Sequence, residues 1–151
     1  MDKSTSIPLA SKQRRISSFV IDDMVTSFFF IAIIYDQLIE LFSNVTVVND
    51  DVLLAINLFM SEYMWLAVII KIIYHTVFVW QNGMTLGKYI MKIKVVELES
   101  GQRPTFQKAF LRASLRVLSE TLFYLGFVLA FFTPLRQTFH DKYTQCVVID
   151  A

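Results

Sequence analysis

The sequence predicts a mainly α-helical integral membrane protein. It is expected to hold two full transmembrane helices, a third helical segment that spans or re-enters the membrane, an amphipathic interfacial helix and a small cytoplasmic β-element. Three observations carry this reading. Of 151 residues, 55% are hydrophobic and 18% charged, against about 45–50% and about 25% in a soluble domain, and the mean hydropathy is +0.52. A chain this short has too much surface for its size to hide so many apolar side chains from water. Secondly, two apolar runs are long enough to cross a bilayer. Thirdly, Lys and Arg are distributed unevenly around those runs. Four Gly, three Pro and one Cys exclude collagen-like, low-complexity and disulfide-scaffold classes.

The net charge of +1 hides that asymmetry. Lys3, Lys12, Arg14 and Arg15 precede the first run, the stretch 43–51 has no Lys or Arg, and Lys88, Lys92, Lys94, Arg103 and Lys108 follow the second run. The positive-inside rule then places the N-terminus and the middle loop in the cytoplasm and the acidic loop outside. The chain reads as one multi-pass domain of the cell membrane over residues 1–151, with residues 1–13 a flexible cytoplasmic arm. Because the basic residues flank membrane segments, no nucleic-acid partner is needed to account for them.

The elements follow in order. Ile16 to Tyr35 supplies about twenty residues for a first span; Asp22 and Asp23 interrupt it and no small-residue cleavage site follows, so it is a retained helix and not a signal peptide. Val52 to Trp80 exceeds the length of one span; its inner part carries Lys71 and His75 and ends on an interfacial Trp. Gly83-Met84-Thr85-Leu86-Gly87 breaks the helix. Thr85 is expected to cap a short helix with Leu86, Ile90 and Ile93 on one face and Lys88 and Lys92 on the other, lying in the headgroup plane. Lys94 to Leu98, a turn at 99–102 and Arg103 to Phe106 read as a β-hairpin. A third helix starts near Gln107. The apolar run Val117 to Phe132 is short for a crossing, which favours a re-entrant segment turning near Leu125-Gly126; a full crossing is the alternative. Val147-Val148-Ile149 would then suit pairing with Val95-Val96.

Familiar chemical motifs fail on spacing. Gly83-x-x-x-Gly87-Lys88 has three residues between its glycines where a phosphate loop needs four, and Tyr89 follows the lysine. As a helix-dimer motif it is misplaced, since the glycines sit at a break. His140-Asp141 has no nucleophile elbow, and two His with one Cys, far apart, make no zinc set. No enzyme, cofactor or metal is therefore expected.

The intramembrane charges differ in kind, because an ionisable group near mid-bilayer costs about 2.5–3.5 kcal/mol on insertion scales and needs a partner or a cavity. Arg15 and Asp22 lie two turns apart on one helix face, about 10 Å in depth. Counted inward from Trp80, His75 lies about 8 Å and Lys71 about 13 Å deep, level with Asp22 and Asp23 on an antiparallel neighbour. Arg112, Arg116 and Glu120 form one stripe at intervals of four. Arg15, Asp22, Lys71, Arg112 and Asp141 are expected to face a shared interior. Structural ion pairs and a cation or proton path are the two readings.

Three motifs in order resemble those of the RDD family, small membrane proteins named for one Arg and two Asp. They are Arg15-Ile16-Ser17-Ser18-Phe19-Val20-Ile21-Asp22; Gly83-Met84-Thr85-Leu86-Gly87-Lys88 with Val95-Val96, Gly101 and Arg112; and Arg136-Gln137-Thr138-Phe139-His140-Asp141 with Thr144 and Val147-Val148. Tyr143 replaces the small residue that usually precedes that Thr. The resemblance covers about residues 12–149 and implies that the name-giving residues are Arg15, Asp22 and Asp141. It also implies roles in transport, including exchange of a monovalent cation for a proton, or help to a membrane complex. Transport by so few helices would imply a homo-oligomer in the lipid bilayer; in the interaction reading the basic cytoplasmic face binds anionic lipid or a membrane-protein partner.

Overall fold

The computed structural model describes residues 8–43, 45–122 and 128–151. Helix α1 (Lys12–Ile33) starts at Ser11, whose side chain accepts the Arg14 N–H at 3.3 Å. Its buried positions are Ser18, Asp22 and Thr26, one polar stripe at intervals of four, while Met24 and Phe28 are 68% and 69% exposed. A soluble helix buries its apolar face; this one does the reverse. The Ser18 and Thr26 hydroxyls bond back to the carbonyls of Arg15 and Asp22 in their own helix. Helix α2 (Tyr35–Ser43) follows directly.

Helix α3 (Asp50–Asn82) is capped by Asn49, which accepts the Val52 N–H at 2.9 Å. Asp50 and Asp51 in its first turn complement the helix dipole. Its 33 residues extend about 50 Å, well past the ~30 Å hydrocarbon core. Leu58, Trp65 and Ile73 are all more than half exposed along it. Both α1 and α3 are long and apolar enough to cross a membrane.

Gly83 ends α3 in the left-handed region at φ 69°, its N–H returning to the Val79 carbonyl. A short helix α4 (Leu86–Ile90), strand β1 (Ile93–Glu97) and helix α5 (Phe106–Thr121) come next. A 3-10 turn (Leu129–Phe131), helix α6 (Phe139–Tyr143) and strand β2 (Cys146–Asp150) complete the described chain. α3 packs on α5 and α1, α1 on α4, and α5 on α6.

β1 and β2 pair antiparallel, Val95 opposite Val148 and Val96 opposite Val147, as the Val-rich sequences suggest. Arg103 to Phe106, expected as the second arm of a hairpin, is not a strand. Pro104 has no N–H to donate to a ladder, and Thr105 already precedes α5, with its N–H on Glu97 at 3.1 Å. The turn itself forms, Gly101 donating to the Glu97 carbonyl.

The arm expected to be free through residue 13 is bound from Pro8 onward. Leu9 bridges to Ile149, the Ala10 N–H donates to the Val148 carbonyl at 3.1 Å, and the Asp150 N–H donates to the Pro8 carbonyl at 2.9 Å. The open edge of β2 offers unpaired backbone groups, and the arm satisfies them. Ala10, Val79, Ile93, Val95, Ala109, Cys146 and Val148 form the apolar core at this end of the molecule. The turn expected near Leu125-Gly126 lies outside the described residues.

Candidate functional site

Two buried carboxylates, both fully shielded from solvent, organise the polar interior. Asp22 sits in the middle of α1, where the 83–88 segment folds over it. Its Oδ1 accepts the Tyr74 hydroxyl at 2.8 Å and the Gly87 N–H at 2.9 Å; its Oδ2 accepts the Thr85 hydroxyl at 2.6 Å and the Lys88 ammonium at 3.5 Å. Thr85 also caps α4 by accepting the Lys88 N–H, and the Tyr74 oxygen accepts the Leu86 N–H. Gly87 permits this closeness: a Cβ there would stand 2.9 Å from Asp22 Oδ1 and closer still to the Ser18 carbonyl oxygen.

Lys88 was expected to face headgroups. It is only 4% exposed and points inward, whereas Leu86 and Ile90 face outward and Ile93 is fully buried in the sheet. The reason is the surrounding medium. With α1 presenting a carboxylate, the cation gains more from Asp22 than from the surface, and apolar side chains carry no penalty facing lipid. Burial pushes the Lys88 ammonium down to about 7, against the pull of the Asp22 carboxylate.

Asp141 lies on α6, where a reciprocal capping box with Thr138 fixes its backbone. Arg112 on α5 donates from Nε at 2.8 Å and Nη2 at 2.6 Å, both to Oδ1. Arg15 on α1 donates from Nη2 to Oδ2 at 2.8 Å and from Nη1 to the Arg136 carbonyl. Burial alone would raise the Asp141 carboxyl, but Arg112 and Arg15 outweigh it and hold it well below the usual carboxylate range. Burial holds His140 well below its ordinary value, so the imidazole stays neutral beside Asp141.

A third group links α1, α3 and α5. The Lys71 ammonium meets Asp23 at 2.6 Å and Glu120 at 2.8 Å, and Glu120 also accepts from Arg116 at 3.1 Å. Arg116 lies over the Phe19 ring at 4.9 Å. The structure thus brings Arg15, Arg112 and Asp141 together, places Asp22 with Thr85, Gly87 and Lys88, and places Asp23 with Lys71, Arg116 and Glu120. His75 is buried against the Tyr74 ring, 5.0 Å between centroids, and among the described residues its Nδ1 has no hydrogen-bond partner. Gly83 acts through the backbone, its carbonyl accepting the Val95 N–H at 2.8 Å.

Sequence reasoning missed Tyr74. A phenol three residues after Lys71, hence on its face of α3, is the signal that marks it. The third motif contains Arg136 but gives no sign that its carbonyl, and not its side chain, serves Arg15. Among the described residues no cluster of His, Cys, Asp and Glu is arranged to hold a metal.

Long helices that expose apolar surface, bury a polar stripe and join through arginine–aspartate pairs define an α-helical membrane-type protein. The chain belongs to the RDD family, whose sequence model matches residues 9–145. Comparison with curated proteins and with solved structures gives no match.

Proposed function

We propose that this chain is a multi-pass accessory protein of the cell membrane, in which the buried ion pairs hold helices in register and the lipid-facing surfaces of α1 and α3 meet a membrane-protein partner or a second copy. The observation that carries this reading is the saturation of Asp22: each carboxylate oxygen already takes two donors, leaving no lone pair directed at a cation. Asp141 is likewise bound by two guanidinium groups. Groups that bind a transported ion need to exchange partners, and these are held from four different elements, by bonds of 2.6–2.9 Å apart from the longer Lys88 contact.

The same arrangement supports a cytoplasmic location for both ends of the described chain. β1 pairs with β2, and Leu9 bridges to Ile149 at the other edge of β2, so the arm before α1, the strand after α3 and the tail share one side. Two crossings between the arm and β1 agree with this, and so does a segment between β1 and β2 that enters and returns. Basic residues concentrate on that side.

A second reading, exchange of a cation for a proton, draws on Lys88: a buried amine titrating near 7 beside a carboxylate is a usable proton site. Purified protein in sealed vesicles under an imposed pH gradient separates the two. The accessory reading expects no proton flux dependent on Na⁺, K⁺ or Li⁺; cation-dependent flux from the folded protein overturns it.

A further inference from the structure

Between the first turns of α1, the Arg112–Arg116 face of α5 and the segment around Phe131 lies a cavity of about 220 Å³. Its wall carries Lys12, Arg15, Lys88, Arg112 and Arg116 but a single carboxylate, Asp141. The carboxylates behind the wall do not close the balance. Asp22 pairs with Lys88, and Glu120 with Arg116 and Lys71, which also holds Asp23. Five cations thus share four carboxylates, and Lys12 stands outside these pairs, so the excess is two positive charges with Lys88 protonated and one with it neutral.

Donors remain as well as charge. Arg112 directs Nε and Nη2 at Asp141, and among the described residues its Nη1 has no protein acceptor. The Lys12 ammonium lies over the Phe131 ring at 4.8 Å and has no carboxylate partner among the described residues; its neighbour Arg14 takes Asp150 instead. A phosphate group carries about −1.5 to −2 at pH 7 and offers three acceptor oxygens, and guanidinium groups match its geometry. The cavity is several times the ~30 Å³ share of a water molecule in the liquid, and apolar atoms, including those of Ile16 and Phe131, form most of its exposed wall, with the cationic groups at its edge. It therefore has room for a phosphate together with carbon attached to it.

We infer that this cavity binds a terminal phosphate group, either free phosphate or the phosphomonoester headgroup of a lipid. The site goes beyond the accessory role and stands whether or not the chain moves ions. Thermal unfolding of the full chain in micelles, at constant ionic strength, tests it, because a ligand that binds only the folded state raises the midpoint by mass action. The probes are inorganic phosphate, dihexanoyl phosphatidic acid and, as an uncharged-headgroup control, dihexanoyl phosphatidylcholine.

A saturating rise is expected with at least one phosphate probe. Lys12→Gln, a change at an exposed side chain outside every ion pair above, is expected to weaken it about tenfold, the worth of one charge-assisted contact. Ala130→Phe, which fills the cavity without altering charge, is expected to abolish it. A response to inorganic phosphate as strong as to the lipid assigns a soluble ligand; a response to phosphatidic acid alone assigns a headgroup. No saturable rise with either, an equal rise with phosphatidylcholine, or an unchanged response in Ala130→Phe overturns the site.

Discussion

Replacing Gly87 with alanine sets two effects of opposite sign against each other. In an open helix the change would stabilise by about 1 kcal/mol, since alanine has the higher helix propensity. Here the added Cβ would lie 2.9 Å from Asp22 Oδ1 and 3.0 Å from its Cγ, where ordinary contact begins at 3.4 Å. The Ser18 carbonyl is nearer still and belongs to the α1 backbone, so it cannot rotate away. α4 must lift from α1, stretching the Gly87 N–H and Thr85 hydroxyl bonds to Asp22. A hydrogen bond to a charged group contributes about 1.5–3 kcal/mol, so losing both removes about 3–6 kcal/mol. Set against the propensity gain, the expected net loss is about 2–5 kcal/mol. Denaturant unfolding of the purified protein, followed by circular dichroism, reads it. Gly101→Ala is the control: φ is +66° but nothing lies within 4 Å, so only backbone strain of about 1–2 kcal/mol applies. A Gly87→Ala protein as stable as the parent, or more stable, would refute the close-approach account.

Asp141→Asn leaves two buried guanidinium groups without their shared anion and is expected to lose about 3–5 kcal/mol. Asp150→Asn, at a half-exposed pair with Arg14, is expected to lose less than about 1 kcal/mol; equal losses in parallel melts would contradict the burial argument. The pH dependence around Lys88 has a definite sign. Between about 7 and the ordinary lysine value of 10.5, the unfolded chain holds a proton that the folded chain has released. Stability from this group therefore rises with pH across that window. Melting temperatures should climb over it in the parent and climb less in Lys88→Met; the same slope in both would remove Lys88 as the source.

The long helices were legible in the sequence because hydropathy and length report directly on a solvent of lipid. So was the Val95–Val148 pairing, since two short β-branched runs need a partner. Helix rise fixes level, so depth alone sets Asp22 and Asp23 beside Lys71 and His75, but it does not choose partners: Asp22, expected to share an interior with Lys71, takes Lys88, and Lys71 takes Asp23. Direction is another matter. Lys88 looked like the polar side of an amphipathic helix, a rule that holds when the apolar face seeks a core; beside lipid and a buried carboxylate the preference reverses. Tyr74 passed as one more apolar aromatic because its hydroxyl has meaning only once Asp22 is placed opposite. The hairpin was misread for a related reason: local strand signals at 94–98 were sound, but the nearest segment in sequence was not the partner in space. The arm at 8–10 carries no periodicity at all, and only the free edge of β2 explains its position.

The two-stranded sheet and the arm bridged to its edge have a bearing on how the protein is made. Leu9 and the Ile149 it bridges are separated by nearly the whole chain, with β1 between them in sequence, and Asp141 lies just before β2. On the proposed topology, α1 and α3 enter the bilayer during synthesis while Arg15 still lacks its carboxylate, and α5 brings Arg112 before that carboxylate exists. The nascent protein thus passes through a stage with surplus positive charge at the end that will hold the sheet, able to lean on anionic headgroups. Closure comes only when Asp141 and β2 emerge, capture both arginines and trap the N-terminal arm. A ribosome stalled before residue 141 would leave a membrane-inserted chain that is helical yet unlocked, with its first strand edge open to any passing backbone.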